Sequence, residues 1–348
     1  MNIYERALDE NIQFHRQSSL NLWPEATEIL AIKHGRKKIH LNYGKSYEYY
    51  DLASLTKILF TTTVFMRLVE KQKLSLNDTV AKYLTDFPHK QIKIKHLLSH
   101  TSYLNWWSPY YKKLSLVKSI DEKNILLKEF ILKEKLKPKF AYSDIDFWVL
   151  GLVLQEIEQS SLGDIWRKNY SKNHFFQLHF NENNKPIYKR SSYAPTEKCP
   201  WRKKHLKGEV HDDNAWAMGG IAPHAGLFGG AEDVACWAKS LRGSYLNRSK
   251  AFVSEKTAKH FLKKYKAGND WALGFMMPTK GAASCGPHFH LNSVGHTGFT
   301  GTSFWYDLKS DLMVIVLSNR VNPTRKLNNF KSLRPMIHNW VFEALEKR

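Results

Sequence analysis

The chain has 348 residues, a formal net charge of +21, 43% hydrophobic and 13% aromatic residues, and no apolar run long enough to span a bilayer. That composition excludes a disordered chain and a membrane-spanning helix, and the length suits one large unit or two interleaved ones around a substantial core. Its basic residues fall in short clusters such as Arg36-Lys37-Lys38, Lys133 to Lys139 and Arg202-Lys203-Lys204. None forms a long arm or a known binding module, so no nucleic-acid partner is expected. The charge reads as a solvated surface, or as attraction of anionic small substrates into a cleft.

The first residues, Met1 to Glu10, carry early acidic groups and no apolar signal core, which predicts a cytoplasmic protein. Residues 1–20 form an amphipathic pattern. Residues 27–34 and 38–43 read as two strands around a turn at Gly35-Arg36. From Ile58 to Val69 apolar residues recur at helical spacing and predict a largely buried helix ending near Lys71-Gln72-Lys73. Helical patterns dominate from about 75 to 165, including Asn124–Glu134 and Phe147–Gln159. Residues 164–215 are polar, aromatic and without periodicity, which suits the wall of a site better than an idle linker. A helix follows from Ala231 to Ser240 within 230–243. Strands are predicted at Trp271–Met276, Ser293–His296, Thr302–Asp307 and Asp311–Ser318, with a turn at Leu308-Lys309-Ser310, and a closing helix at 332–347. Strands at both chain ends with helices between them imply one antiparallel sheet built from both ends, carrying an inserted helical domain.

Three cysteines, Cys199, Cys236 and Cys285, are odd in number and lack paired-ligand spacing, so they read as free thiols. His96 and His100 lie at i, i+4, but the Glu of a His-Glu-x-x-His pair is absent, and they read as packing and capping residues. His288 and His290 flank Phe289 without an accompanying carboxylate or thiolate of fitting spacing, and read as a surface loop.

Chemistry concentrates in Asp51-Leu52-Ala53-Ser54-Leu55-Thr56-Lys57. On a helix, Ser54 and Lys57 stand one turn apart on one face, which places an ammonium within reach of the hydroxyl. A serine hydroxyl is a poor nucleophile until a neighbour accepts its proton, so this pair is minimal equipment for acyl transfer. The pattern alone also fits a solvated helix start. A lysine facing into a buried helix, however, is costly without a partner or a task.

Three further segments line up behind it: Lys95 to Ser102, Lys139-Phe140-Ala141-Tyr142-Ser143-Asp144, and Val294-Gly295-His296-Thr297-Gly298-Phe299-Thr300-Gly301. Their order and spacing resemble the serine β-lactamase and penicillin-binding-protein superfamily. Within it they are similar to the class C β-lactamase-like group that includes DD-peptidases and family VIII-type esterases, over roughly residues 25–345. Ala194 to Glu197, Gly208 to Ala215, Gly219-Gly220 and His224 to Phe228 are similar to a subgroup of β-lactamase-family serine hydrolases.

The resemblance implies an α/β (α+β) fold, with the antiparallel sheet flanked by helices. Residues 1–348 would be one catalytic unit, with an α/β subdomain at 20–60 and 230–348 and a mainly helical and loop subdomain at 61–229. It implies that Ser54 attacks an acyl carbon, that Lys57 helps deprotonate it, and that Tyr142 shuttles the proton to the leaving group. A phenol titrates near pH 10, so the Lys57 ammonium is expected to hold Tyr142 down. The N–H groups of Ser54 and Phe299 would form the oxyanion hole. His296, Thr297, Gly298, Asp144, Trp106 and Trp107 would bind substrate. His211, Asp212 and Asn214 would either support the 164–215 loop through hydrogen bonds to backbone or touch substrate themselves. Gly219, Gly220 and Gly226 read as tight-turn or close-approach positions.

Two departures narrow the substrate. His296 stands where the family commonly has lysine, and a histidine can donate a hydrogen bond or carry charge below about pH 6.5 but holds a carboxylate less well at neutral pH. Asp144 stands where an asparagine is usual, and a carboxylate cannot donate as the amide does. Tyr103 replaces a usual glycine. The implied function is a serine hydrolase acting through acyl-Ser54 on an ester or amide, such as a peptidoglycan-derived peptide (DD-carboxypeptidase-like, an anionic muropeptide) or a β-lactam. The alternatives are a catalytically silent penicillin- or muropeptide-binding protein of the same fold, or a small-ester carboxylesterase. No cofactor or metal is implied.

Overall fold

The computed structural model describes residues 1–19, 22–170, 177–248, 251–266, 269–327 and 329–346. Among them are ten strands: β1 (Ala26–Lys33), β2 (Arg36–Gly44), β3 (Tyr50–Asp51), β4 (His179–Phe180), β5 (Pro195–Cys199), β6 (Lys204–Lys207), β7 (Leu227–Gly229), β8 (Val294–Thr297), β9 (Ser303–Asp307) and β10 (Leu312–Ser318). Five of them form one antiparallel sheet in the order β2-β1-β10-β9-β8. The two chain ends therefore meet at its centre, where Leu30 faces Ile315 across β1 and β10. His34 and Gly35 join β1 to β2 with φ of 52° and 75°, the doubly positive turn that matches strand twist.

β1 is buried along seven of its eight residues because both faces of the sheet are covered. Ile29 and Ala31 point into one cluster, with Leu8 and Ile12 of helix Ile3–Ser18 and Ile337 and Val341 of helix Phe330–Glu346. Leu30 and Ile32 point into the other, with Val64, Trp237 and Phe304. The strand's period of two thus sorts its side chains between two layers of helices.

On the second face runs the helix that carries Lys57. It is not the regular α-helix that the apolar spacing predicts: residues Lys57–Thr62 are π-helical, and only Thr63–Glu70 is α-helical. The Thr63 hydroxyl donates to the Ile58 carbonyl five residues back at 2.8 Å and accepts from Trp237 Nε1 at 3.0 Å. Such wide turns recur at functional sites.

The segment between the sheet halves is helical where expected, with shifted ends. Helices Ile120–Leu132 and Asp144–Glu158 start earlier than the apolar pattern suggests, because Ser119 and Ser143 cap them ahead of the first apolar residue. The predicted irregular stretch 164–215 holds the rest of helix Leu162–Tyr170, the hairpin β5-β6 and the short helix Asp213–Ala217. Beside the sheet built from both chain ends, β4 joins β3 and β7 in a small three-stranded one. Trp271–Met276 is no strand: Gly274, with φ 85°, turns the chain, and Trp271 and Met276 form only a single bridge, which Met276 extends to Gly295. Residues 20 and 347, at the predicted ends of the first and last helices, and 171–176 lie outside the described residues. No helix among those described is long and apolar enough to cross a membrane.

Candidate active site

The chain leaves β3 into a turn before Ser54. Leu52 N–H donates to the Leu227 carbonyl at 2.9 Å, Ala53 takes φ 47°, and Lys57 N–H donates back to the Ser54 carbonyl at 3.1 Å. Positive φ is uncommon for alanine. The turn makes Ser54 partly exposed at the floor of a cleft of about 490 Å³ while Lys57 stays fully buried.

Ser54 Oγ accepts from Lys57 Nζ at 3.2 Å and from the Tyr142 hydroxyl at 2.9 Å. Lys57 Nζ also donates to Asp144 Oδ1 at 2.7 Å and to the His224 carbonyl at 3.4 Å. Burial pulls the Lys57 ammonium down, but the Asp144 carboxylate and Tyr142 push harder, and its pKa stands above the ordinary lysine value. Tyr142 departs from expectation. Burial raises it, Lys57 lowers it, Asp144 raises it again, and it is pushed up to about 12. The ammonium does not win because burial outweighs it, and the Asp144 carboxylate adds to the rise. Asp144, expected among the substrate-binding groups, lines the cleft but spends one oxygen on Lys57.

Behind Tyr142 sits the imidazole of His100, buried, with ring centroids 4.8 Å apart. Its Nδ1 accepts the Ser143 N–H at 3.1 Å, which fixes the segment that carries Tyr142. His96 caps its helix by accepting the Lys93 N–H at 3.2 Å, and His290 pairs with Asp307 at 2.7 Å. Tyr103 takes φ 66°, the conformation for which glycine is usual.

His296 also differs from the sequence reading. Its Nδ1 lies 2.9 Å from the Thr297 carbonyl and must donate to it, and burial together with the Lys57 charge pulls the pKa down to about 3. It is neutral throughout the working range. Thr297, Gly298 and Phe299 follow it along the cleft, and Trp106 and Trp107, stacked with centroids 5.9 Å apart, line it too. Among the described residues, neither the Ser54 nor the Phe299 N–H donates to another protein group. Gly298 is required here: a Cβ would stand 2.0 Å from Thr302 Oγ1 and 2.8 Å from the Leu52 carbonyl.

His211 and Asp212 reach the cleft, whereas Asn214 does not. Asn214 accepts the Tyr111 N–H at 2.8 Å and donates to the Ser108 carbonyl at 2.9 Å, so it pins the loop behind Trp107 and not its own loop. The His211 ring stacks on Phe299 with centroids 5.5 Å apart. Asp212 caps helix Asp213–Ala217 and accepts from His224 Nε2 at 3.2 Å. Asp144, Asp212 and His224 could each offer a ligand atom to a cation within a 4.8 Å group. Lys57 already occupies Asp144, and the Ala215 N–H and His224 occupy Asp212.

Several lining residues carry no sequence motif. Trp271 lies against Tyr142, ring planes 18° apart, and Arg320, Lys331 and Arg334 give one side of the cleft a positive charge. Arg334 Nη2 donates to the Gly298 carbonyl at 3.3 Å, and burial with the neighbouring Arg320 pulls its pKa down to about 9. Arginines from the β10 exit and the last helix are brought here only by the fold.

A family model described as Beta-lactamase matches residues 30–332. An N-acetylmuramyl-L-alanine amidase of Bacillus subtilis is 28% identical, covering 87% of this chain and 80% of its own. A Salmonella agona protein assigned by name as a D-alanyl-D-alanine carboxypeptidase is 28% identical over 85% of this chain and 76% of its own. Among solved structures, EstCE1, a hydrolase with promiscuous acyltransferase activity, superposes with a TM-score of 0.71 at 20% identity, over 98% of this chain and all of its own. The octameric penicillin-binding protein homologue from Pyrococcus abyssi gives 0.70 at 18% identity, over 97% of this chain and 77% of its own. At these identities the two structures speak for the fold.

Proposed function

The chain belongs to the beta-lactamase family and is a serine hydrolase, and from that premise we propose that Ser54 is its nucleophile and that the substrate is an amide of a peptidoglycan-type peptide. The observation that carries the assignment is the convergence of Lys57 Nζ and the Tyr142 hydroxyl on Ser54 Oγ at 3.2 and 2.9 Å. At rest both groups hold their protons. When one of them loses its proton it becomes the base: it takes the Ser54 proton as Oγ attacks the acyl carbon. The oxyanion gathers on the Ser54 and Phe299 N–H groups. Tyr142 then returns the proton to the departing amine, and a water repeats the sequence to release the acid and free Ser54.

The peptide substrate is supported by the printed names of the two relatives and by the cationic side of the cleft. A neutral His296 supplies no charge for a substrate carboxylate, so that task falls to Arg320 and Arg334. Three free cysteines, Cys199, Cys236 and Cys285, suit a cytoplasmic site of action.

The test is intact-mass measurement after exposure to a β-lactam and to a p-nitrophenyl ester, beside turnover of a muropeptide panel. A single acyl adduct on the wild type, absent from Ser54→Ala, is expected. A wild type that binds muropeptide without ever forming an adduct would instead be a silent binder.

A further inference from the structure

Asp51 takes no part in these proton transfers, yet it is a carboxylate only 2% exposed. It forms no ion pair with lysine or arginine among the described residues. Its two oxygens are spent on backbone. Oδ1 accepts the Ala53 N–H at 2.8 Å, and Oδ2 accepts the His211 N–H at 2.6 Å. The first bond spans two residues and closes the turn in which Ala53 is held at φ 47°, immediately before the nucleophile. The second holds the residue whose ring stacks on Phe299.

The backbone of Asp51 and Leu52 serves the opposite lip of the cleft. Thr300 Oγ1 donates to the Asp51 carbonyl at 2.6 Å, Thr302 Oγ1 donates to the Leu52 carbonyl at 3.0 Å, and Gly298 N–H donates to the Thr302 carbonyl at 2.7 Å. Phe299 lies inside that loop. Three chain segments that are far apart in sequence, 51–54, 208–214 and 298–302, are therefore tied through one residue. Ser54 follows Ala53 in the chain and Phe299 precedes Thr300, so each adjoins a residue hydrogen-bonded to Asp51.

A buried carboxylate is expensive, and burial does raise the Asp51 pKa while the two amide donors oppose the rise. A left-handed alanine is a second cost at the same place. Holding the chain in this turn does not by itself require a carboxylate, since glycine adopts such a φ without restraint.

We propose that Asp51 is a positioning residue of the oxyanion hole: its carboxylate fixes the Ala53 turn and the His211 segment together, so that the Ser54 and Phe299 N–H groups converge on one oxygen. The inference rests on the reading of Ser54 as nucleophile. In Asp51→Asn the side chain keeps its shape but must turn an NH2 toward one of the two backbone N–H groups, which loses one of the two bonds.

The experiment compares a p-nitrophenyl-activated oxoester with its thionoester, because sulfur accepts hydrogen bonds poorly and a well-aimed hole rejects it. For Asp51→Asn, kcat/KM on the oxoester should fall by about 10²-fold, the loss typical of one oxyanion donor. The loss should lie in kcat. The thionoester should lose far less, so the oxo-to-thiono ratio should drop about tenfold or more, which a general loss of fold would not produce. Thr300→Val should move the ratio in the same direction from the other lip. Asp51→Asn/Ala53→Gly should recover part of the oxoester rate, because glycine needs no clamp to hold the turn. A ratio within about twofold of wild type in Asp51→Asn and Thr300→Val, with Ser54 still acylated, overturns the role of Asp51. A wild type that forms no acyl-Ser54 with either ester overturns the nucleophile reading itself, and the Asp51 role with it.

Discussion

Lys57 Nζ lies 2.7 Å from Asp144 Oδ1, so the ammonium beside Ser54 Oγ is matched by a carboxylate. A fully buried lysine would ordinarily lose its proton readily. Here Asp144 and Tyr142 overcome that effect, and the Lys57 pKa is raised. Because this folded-state pKa stands above the unfolded one, the pair's contribution to stability is fully present below the unfolded value and is lost as pH rises through the folded value. The cost to catalysis is that little free base exists at neutral pH. Asp144→Asn removes a charge that raises both Lys57 and Tyr142. Its kcat/KM profile should keep its shape while the limb that rises with pH moves down by about 1–3 pH units. Profiles from pH 6 to 10.5 decide it, and a limb that stays in place would mean that neither group is the base.

Tyr142→Phe isolates the hydroxyl. The ring would keep its contacts with Trp271 and His100, at centroid distances of 5.5 and 4.8 Å. Only the donor 2.9 Å from Ser54 Oγ is removed. Acylation and deacylation rates should both fall by about 10²–10⁴-fold, the usual worth of a positioned acid–base group. Single-turnover acylation read by mass, with Tm beside it, tests this; a rate within about threefold of wild type would remove Tyr142 from proton transfer.

The closeness of Ser54 and Lys57 was legible because local spacing carries it: a separation of three residues makes neighbours of their side chains on any helix-like turn. Strands such as β1 and β10 were legible from their apolar runs, and one antiparallel sheet built from both chain ends was expected, though not that β1 and β10 are neighbours in it. What could not be read were charges set by burial. Nothing in Tyr-Ser-Asp says that Asp144 will pair with Lys57, and nothing in His-Thr-Gly says that His296 donates to its neighbour's carbonyl and stays neutral. Arg320 and Arg334 reach the cleft from segments with no motif, so only the packing of the last helix on the sheet reveals them. Asp51 was in view from the start, but one of its two bonds reaches a residue 160 positions away.

Gly298→Ala tests the close approach between the two lips. The added Cβ would meet Thr302 Oγ1 and the Leu52 carbonyl at distances no real contact adopts, and the second is backbone, which cannot swing away. Overpacking of this kind costs about 1–3 kcal/mol of stability. The Phe299 N–H is displaced at the same time, so kcat should fall more than the stability loss alone explains. Urea midpoints and steady-state kinetics on the same preparation separate the two. Full kcat with a lowered midpoint would show that the lip can shift without harm to the oxyanion hole.

Acid stability should betray the buried imidazoles. Burial pulls His179 down to about 4 and His296 and His338 to about 3, helped by Lys57 at His296 and by Arg334 at His338. In the unfolded chain each titrates near pH 6.5. Below that pH the unfolded state binds protons that the folded state refuses, so stability falls as pH drops from about 6.5 toward the folded values and rises with pH through the same window. The urea midpoint should therefore decline steadily from pH 6.5 to 5, above the range where most carboxylates titrate. Among the described residues His338 hydrogen-bonds only with Ser303 Oγ, 3.2 Å away, and it lies outside the cleft lining, so His338→Gln is a suitable probe. It should flatten the decline while His296→Gln flattens it and also changes kinetics. A midpoint that stays level from pH 6.5 to 5 in the wild type would show that these imidazoles reach solvent and carry charge in the folded protein.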